Sequence, residues 1–342
     1  MPRSWTIKPG HGPSSLTLEE RPRPPLSPGQ ARVSIHATSL NARDLMVALG
    51  QSPMPVADEL VPVSDGAGVV EEVSEGVTRV GVGDRVVVTF NPAHQSGPFE
   101  PYMAAHALGE LSDGLLADEA VVDQMALVKA PDSLTFEQAA CLPCVGVTAW
   151  NALFGSGPLF PGQTVVATGT GNVSLFAMQL AKAAGARFGV TSSDDRKLDR
   201  ARALGADFGI NYRLRPDWEN AVREATDGVG AHVILENAGP PSVAASIRAA
   251  AQGGRVIQIG WKGLEGPPLS VVDMALGGVS LQTVMVGSRL MLERLVDAVV
   301  ANDLRIPIHG TLDFGDAPRA YEILAGGTFG KVVMTHNERT NP

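Results

Sequence analysis

The stretch TVVATGTGNVS, residues 164–174, runs from a buried-type strand pattern through a glycine turn into the start of an amphipathic segment. Gly169, Gly171 and Ser174 occupy the three small-residue places of a G-x-G-x-x-G turn. The first glycine permits the tight bend, and the second lets a pyrophosphate approach the backbone. The helix that follows, opening at Asn172 and Val173, points free N–H groups at an anion. A Gly-x-Gly alone is weak. Between a strand and a helix in a βαβ unit it predicts a dinucleotide site. Ser174 departs from the third glycine but is small enough for close helix–strand packing.

The pattern continues downstream. VSLFAMQLAKAAGA is an amphipathic helix closed by Gly185, RFGVTSS a second strand, and DDRKLDRARALGA a second helix closed by Gly205. DFGINYR, AHVILENAG, SVAASIRAAAQGG and RVIQIGW keep the alternation, which predicts a doubly wound parallel sheet, an α/β fold of Rossmann type. VSLQTVMVG, residues 279–287, reads as a strand near the end of that sheet. Upstream, residues 1–126 carry short β-branched runs split by Gly and Pro, a mostly β region. DSLTFEQAACLPCVGVTAWNALF then reads as helix from a lengthened capping pattern at Ser133 and Glu137. After residue 287 the order reads helix, helix, strand.

Composition narrows the function classes. The net charge of −9 and scattered basic residues argue against nucleic-acid binding. No apolar run reaches the roughly 18 residues that would suggest a membrane span, and MPRSWTIKPGHG lacks the apolar core of a signal peptide, so a cytoplasmic protein is expected. The two cysteines, Cys141 and Cys144, form a C-x-x-C without a second Cys or Cys/His pair. A structural zinc needs four ligands, so small buried residues are the expected reading.

The end of the second strand selects the dinucleotide. NAD enzymes usually place an acidic residue there, about 20 residues beyond the turn. Here stands Ser192, followed by Ser193, Arg196 and Lys197. A hydroxyl with cations suits a 2′-phosphate, and Tyr212 can stack on or bond the same end. NADP(H) is therefore expected over NAD, although Asp194 and Asp195 would repel phosphate if they pointed inward.

Several segments together resemble the medium-chain dehydrogenase/reductase superfamily on its zinc-free side, the quinone oxidoreductases and related enoyl reductases. SLNARDLMVALG is similar to an N-Y-R-D segment, and VSDGAGVVEEVSEGVTRVGVGDRV to a G-H-E-x-x-G-x-V…G-D-R-V block. LPCVGVTAWNAL, GTGNVSLFAMQLAKAAGA, VGSR and TFGKVV resemble cofactor-site segments. The resemblance runs nearly end to end. It implies a Rossmann domain at 146–287 inserted into a mostly β, GroES-like catalytic domain at 1–145 and 288–342. It also implies a homodimer paired through the edge strand.

Zinc-dependent relatives hold their catalytic ion with a Cys, the His of G-H-E and a second Cys. The matching places here are Asn41, Ser64 and Cys144, which implies a metal-free site. Asn41 either donates its amide to the substrate oxygen or forms a turn. Asp44 is expected to bond Ser64 or Arg43 in a structural role, and Asp65 to form an ion pair with Lys331 or Arg43. Ala42 stands where relatives often carry Tyr, leaving water as the default proton source. Thr148, Asn237 and Ser288 resemble positions around the nicotinamide, with Ala238 and Gly260 in the same segments. Arg289 and Lys331 are expected at cofactor phosphates. Three functions follow: NADPH-dependent reduction of a quinone or α,β-unsaturated carbonyl, a zinc-independent alcohol or carbonyl dehydrogenase, and a non-catalytic NADPH-binding protein.

Overall fold

A computed structural model describes residues 1–261, 263 and 265–336. The chain divides into two units, residues 1–147 with 287–342, and residues 148–286. The first unit contains β1 (Arg3–Thr6), β2 (Thr17–Glu20), β3 (Gln30–Leu40), β4 (Asp65–Val73), β5 (Arg85–Val88), β6 (Glu119–Asp123) and β7 (Leu127–Lys129). The second contains β8 (Thr164–Ala167), β9 (Arg187–Ser192), β10 (Phe208–Asn211), β11 (Ala231–Glu236), β12 (Ala250–Gln258) and β13 (Ser280–Thr283). The chain then returns to the first unit with β14 (Ile308–Asp313) and β15 (Lys331–Thr335).

The second unit is one six-stranded sheet, ordered β10-β9-β8-β11-β12-β13 and parallel throughout. This is the 3-2-1-4-5-6 order of a Rossmann sheet, whose direction of winding reverses between β8 and β11. Val165, Val166, Ala167, Val233, Ile234 and Leu235 are all fully buried there, which is why both strands read as continuous apolar runs. The turn after β8 needs Gly169, whose φ of +89° few other residues tolerate. Gly171 then caps the helix Asn172–Ala183.

The first unit is built on a seven-stranded sheet ordered β14-β15-β3-β4-β5-β7, with β6 also paired to β3. Its register sets the site described below. Val332 lies opposite Leu40 in the antiparallel β15–β3 pair, and Asp65 lies opposite Ser39 in β3–β4. Side chains alternate across a strand. Lys331, Asn41, Ser39 and Asp65 therefore share one face.

Local details differ from the sequence reading. The helix Phe136–Ala140 is capped by Thr135, whose hydroxyl accepts from the Gln138 N–H, and not by Ser133. The strand β14 and the helix Val271–Gly277 were not anticipated. β14 is only half-buried and pairs with a strand that follows a whole helix later, so its alternation alone was a weak signal. Among the described residues no helix is long and apolar enough to cross a membrane.

Candidate active site

The switch-point edge of the second unit carries the segments expected from sequence to meet a dinucleotide. The Gly169 N–H donates to Thr191 Oγ1 at 3.2 Å, tying the turn to the end of β9. Ser174, 1% exposed, receives Asn237 Nδ2–H at 3.0 Å, so the departure from glycine supplies a polar tie between two segments of the edge. The Asn237 N–H, in turn, donates to Thr168 Oγ1 at 2.8 Å. The Ala238 N–H donates to the buried Glu236 carboxylate. A Cβ on Gly260 would lie 1.9 Å from the Asn237 carbonyl, so only glycine fits that approach. Gly169, Gly171, Asn172, Val173, Asn237, Ala238 and Gly260 thus belong to turns following neighbouring strands of one sheet.

At the end of β9, Ser192 is buried and its Oγ accepts from the Asp194 N–H. Asp194 caps the helix Asp195–Ala203 by accepting the Arg196 N–H, and Asp195 accepts from Asn211. Both carboxylates are therefore held by local hydrogen bonds. Ser193 and Lys197 are half-buried, while Arg196 and Tyr212 are exposed. Thr148 is buried at the start of the second unit.

The polar cluster of the first unit lies on the shared face of β3, β4 and β15. The Lys331 side chain is fully buried, with its ammonium 3.4 Å from Asp65 Oδ2 and hydrogen-bonded to Asn41 Oδ1. Asp65 also accepts from Ser64 Oγ at 2.9 Å and from the Cys144 N–H at 3.3 Å. A wide turn at Leu142–Gly146, containing Pro143, brings that amide to β4. Asn41 caps the helix Ala42–Ala48, its N–H donating to Asp44 Oδ2 at 2.7 Å. Arg43 pairs with Asp44 at 3.3 Å and with Glu110 at 2.9 Å. Val63, directly before Ser64, has φ +74°. That is a genuine outlier for a β-branched residue, at a place where the resembled motif carries glycine. Such strain costs of order 1–3 kcal/mol and concentrates at functional sites.

One expected phosphate ligand, Lys331, is corrected by this geometry. Lys331 is sealed inside the first unit against Asp65 and Asn41, leaving no ammonium face for a phosphate. Arg289 is held by Glu293 and by Gln95 Oε1. Ser288 caps the helix Arg289–Ala301 by accepting the Met291 N–H. Of the two partners expected for Asp65, Lys331 is the one that pairs with it, and that ion pair excludes the phosphate role given to the same lysine.

Burial pushes the Asp44 carboxyl from the ordinary 3.8 up to about 6, against the opposing pull of Arg43 and the Asn41 N–H. The folded state then binds this proton more tightly than the unfolded chain. The associated stability is present below about pH 4 and is lost as pH rises through 6. The stability difference between parent and Asp44→Asn should fall by about 2 kcal/mol from pH 4.5 to 7.5. Denaturant titrations at the two pH values measure it; a flat difference would contradict the shift.

Two family profiles match the chain: an alcohol dehydrogenase GroES-like domain over residues 27–132, and a zinc-binding dehydrogenase over residues 172–301. A zinc-type alcohol dehydrogenase-like protein of Schizosaccharomyces pombe is 40% identical over 316 residues, covering 90% of this chain and 91% of that protein. The chain belongs to the medium-chain dehydrogenase/reductase superfamily. A crystal structure from Sinorhizobium meliloti 1021, provisionally named an alcohol dehydrogenase, matches with a TM-score of 0.90 and 40% identity, covering 98% of this chain and 99% of that one. A quinone oxidoreductase of Pseudomonas syringae pv. tomato DC3000 matches with a TM-score of 0.81 and 27% identity, covering 98% and 100%. As a member of this superfamily the protein is an oxidoreductase.

Zinc is the ion that one of these profiles implies, and the residues present do not fit it. Of the places matching the superfamily's catalytic ligands, Asn41 and Ser64 offer neutral oxygens. The third, Cys144, is the one classical ligand among the three places, and a catalytic zinc needs three protein ligands. The Lys331 ammonium already bonds Asn41 and Asp65, and it would repel a divalent ion placed there. Among the described residues, no three His, Cys, Asp or Glu side chains are grouped to hold a metal.

Proposed function

We propose that this protein is a zinc-independent NADPH-dependent reductase acting on a quinone or an α,β-unsaturated carbonyl. The observation that carries the reading is the buried Lys331 ammonium between Asn41 and Asp65, among the places where relatives hold a metal. Without a Lewis acid, polarising a simple alcohol oxygen is difficult. A conjugated acceptor spreads the incoming charge onto an oxygen that an ordinary hydrogen-bond donor can stabilise. In this reading the Asn41 amide donates to that oxygen. Asp44 and Arg43 fix the helix start that presents the amide, and Asp65 balances the ammonium. The nicotinamide cofactor supplies the hydride when bound. The Gly169–Val173 turn would hold its pyrophosphate, and Asn237, Ala238 and Gly260 would shape the edge beside it.

Spectrophotometric NADPH oxidation with a panel of quinones, enones and aldehydes tests the assignment. Turnover of quinones or enones is expected, with aldehydes poor. Turnover confined to aldehydes or alcohols would favour a zinc-independent alcohol or carbonyl dehydrogenase, the reading that the names of two relatives favour.

The preference for NADPH rests on Ser192 in place of an acid and on Lys197 in the first turn of the helix that follows, with Asp194 and Asp195 held by local hydrogen bonds. Lys197→Ala should weaken NADPH by about 1–3 kcal/mol, the range of a hydrogen bond to a charged group, and leave NADH nearly unchanged. Fluorescence titration of both cofactors measures this, and equal losses would refute it.

A further inference from the structure

We infer that Lys331 is a positioning residue for catalysis: its ammonium fixes the orientation of the Asn41 amide and polarises it as a hydrogen-bond donor. The inference rests on the reductase reading above and adds a role for a residue that need not touch substrate.

Register brings the two residues together. Lys331 starts β15 one step beyond the Val332–Leu40 pair, which puts it across from Asn41. An ammonium has donors and no acceptor, so the amide must turn its oxygen toward Nζ. The NH₂ group is thereby directed away, and the assignment follows from chemistry rather than from the shape of the side chain. Asn41 is only 4% exposed, and its Nδ2 is buried without a hydrogen-bond partner among the described residues. A buried donor left unpaired is costly and calls for an acceptor. A carbonyl oxygen gaining negative charge is such an acceptor. Electron withdrawal at Oδ1 by the ammonium makes the N–H a stronger donor toward it, as hydrogen bonds in a chain polarise one another. Asp65, itself held by Ser64 and by the Cys144 N–H, anchors the ammonium from the other side.

The test removes the charge pair as a unit. In Lys331→Met/Asp65→Asn no unpaired charge stays buried, so folding and orientation are separated. The expected result, with an acceptor from the panel, is a kcat at least tenfold below the parent, an unchanged NADPH Kd and a melting temperature within a few degrees. Adding Asn41→Ala to this pair should lower kcat further by at least tenfold less than it does in the parent, because both changes act through one hydrogen bond. A kcat within threefold of the parent for the double variant would overturn the inference. So would the full Asn41→Ala loss appearing again on top of it. If Asn41→Ala alone leaves turnover intact in the parent, the donor role fails and the positioning role with it. If nothing in the panel is reduced, the reductase reading itself fails. Lys331→Gln/Asp65→Asn, which fills the site with neutral polar groups, repeats the test if the methionine variant is poorly folded. The glutamine can accept as well as donate, so it too should lower kcat.

Discussion

Lys331→Met is expected to destabilise the protein by about 3–5 kcal/mol, the usual cost of leaving one partner of a buried ion pair uncompensated. Lys331 and Asp65 are both fully buried and 3.4 Å apart. Removing the ammonium strands the Asp65 carboxylate with Ser64 Oγ and the Cys144 N–H as its remaining donors among the described residues. Asn41 Oδ1 loses its donor in the same step. Adding Asp65→Asn should recover most of the loss, since a neutral amide needs no counter-charge. Denaturant unfolding of the parent, the single variant and the pair measures both effects. A single-variant loss under about 1 kcal/mol would show that the pair contributes little to the folded state.

Asn41→Ala should lower turnover of conjugated acceptors by about 10²–10³, the typical effect of losing one preorganised donor at a developing oxyanion. NADPH affinity should stay near the parent's, because Asn41 belongs to the first unit and the phosphate turn to the second. The helix cap should survive, because the bond from Asn41 to Asp44 uses the backbone N–H. Steady-state kinetics, cofactor titration and a melting curve separate the outcomes. Turnover within about threefold of the parent, or a collapsed fold, would reject Asn41 as the donor.

The two halves of the molecule differ in how far their sequence could be read. The strand–glycine turn–helix unit was legible because its causes are local: a buried strand, glycines where the backbone must bend, and a helix start, all within residues 164–174. The parallel alternation was legible for the same reason, and its order places the turn where winding reverses. The first unit's cluster was legible only in part. Asp65 had two candidate partners, Lys331 and Arg43, and the register of β3 with β15 selects Lys331. Arg43 goes instead to Asp44 and Glu110, and Ser64 to Asp65. The bond between Lys331 and Asn41 had no trace in either segment. It depends on antiparallel pairing across 290 residues, which no local pattern encodes. Lys331 was therefore also assigned to a cofactor phosphate by resemblance, whereas its burial against Asp65 and Asn41 determines what it binds. The φ of Val63 was equally hidden, since a valine in sequence suggests ordinary extended backbone.

The central claim is that an ammonium and two neutral side chains stand where related enzymes hold a metal. Metal analysis of protein produced with zinc in the medium, combined with turnover before and after a strong chelator, tests it most directly. The account predicts far less than one zinc per chain and turnover unchanged by chelation. About one zinc per chain, with activity lost on chelation and restored by zinc, would contradict it.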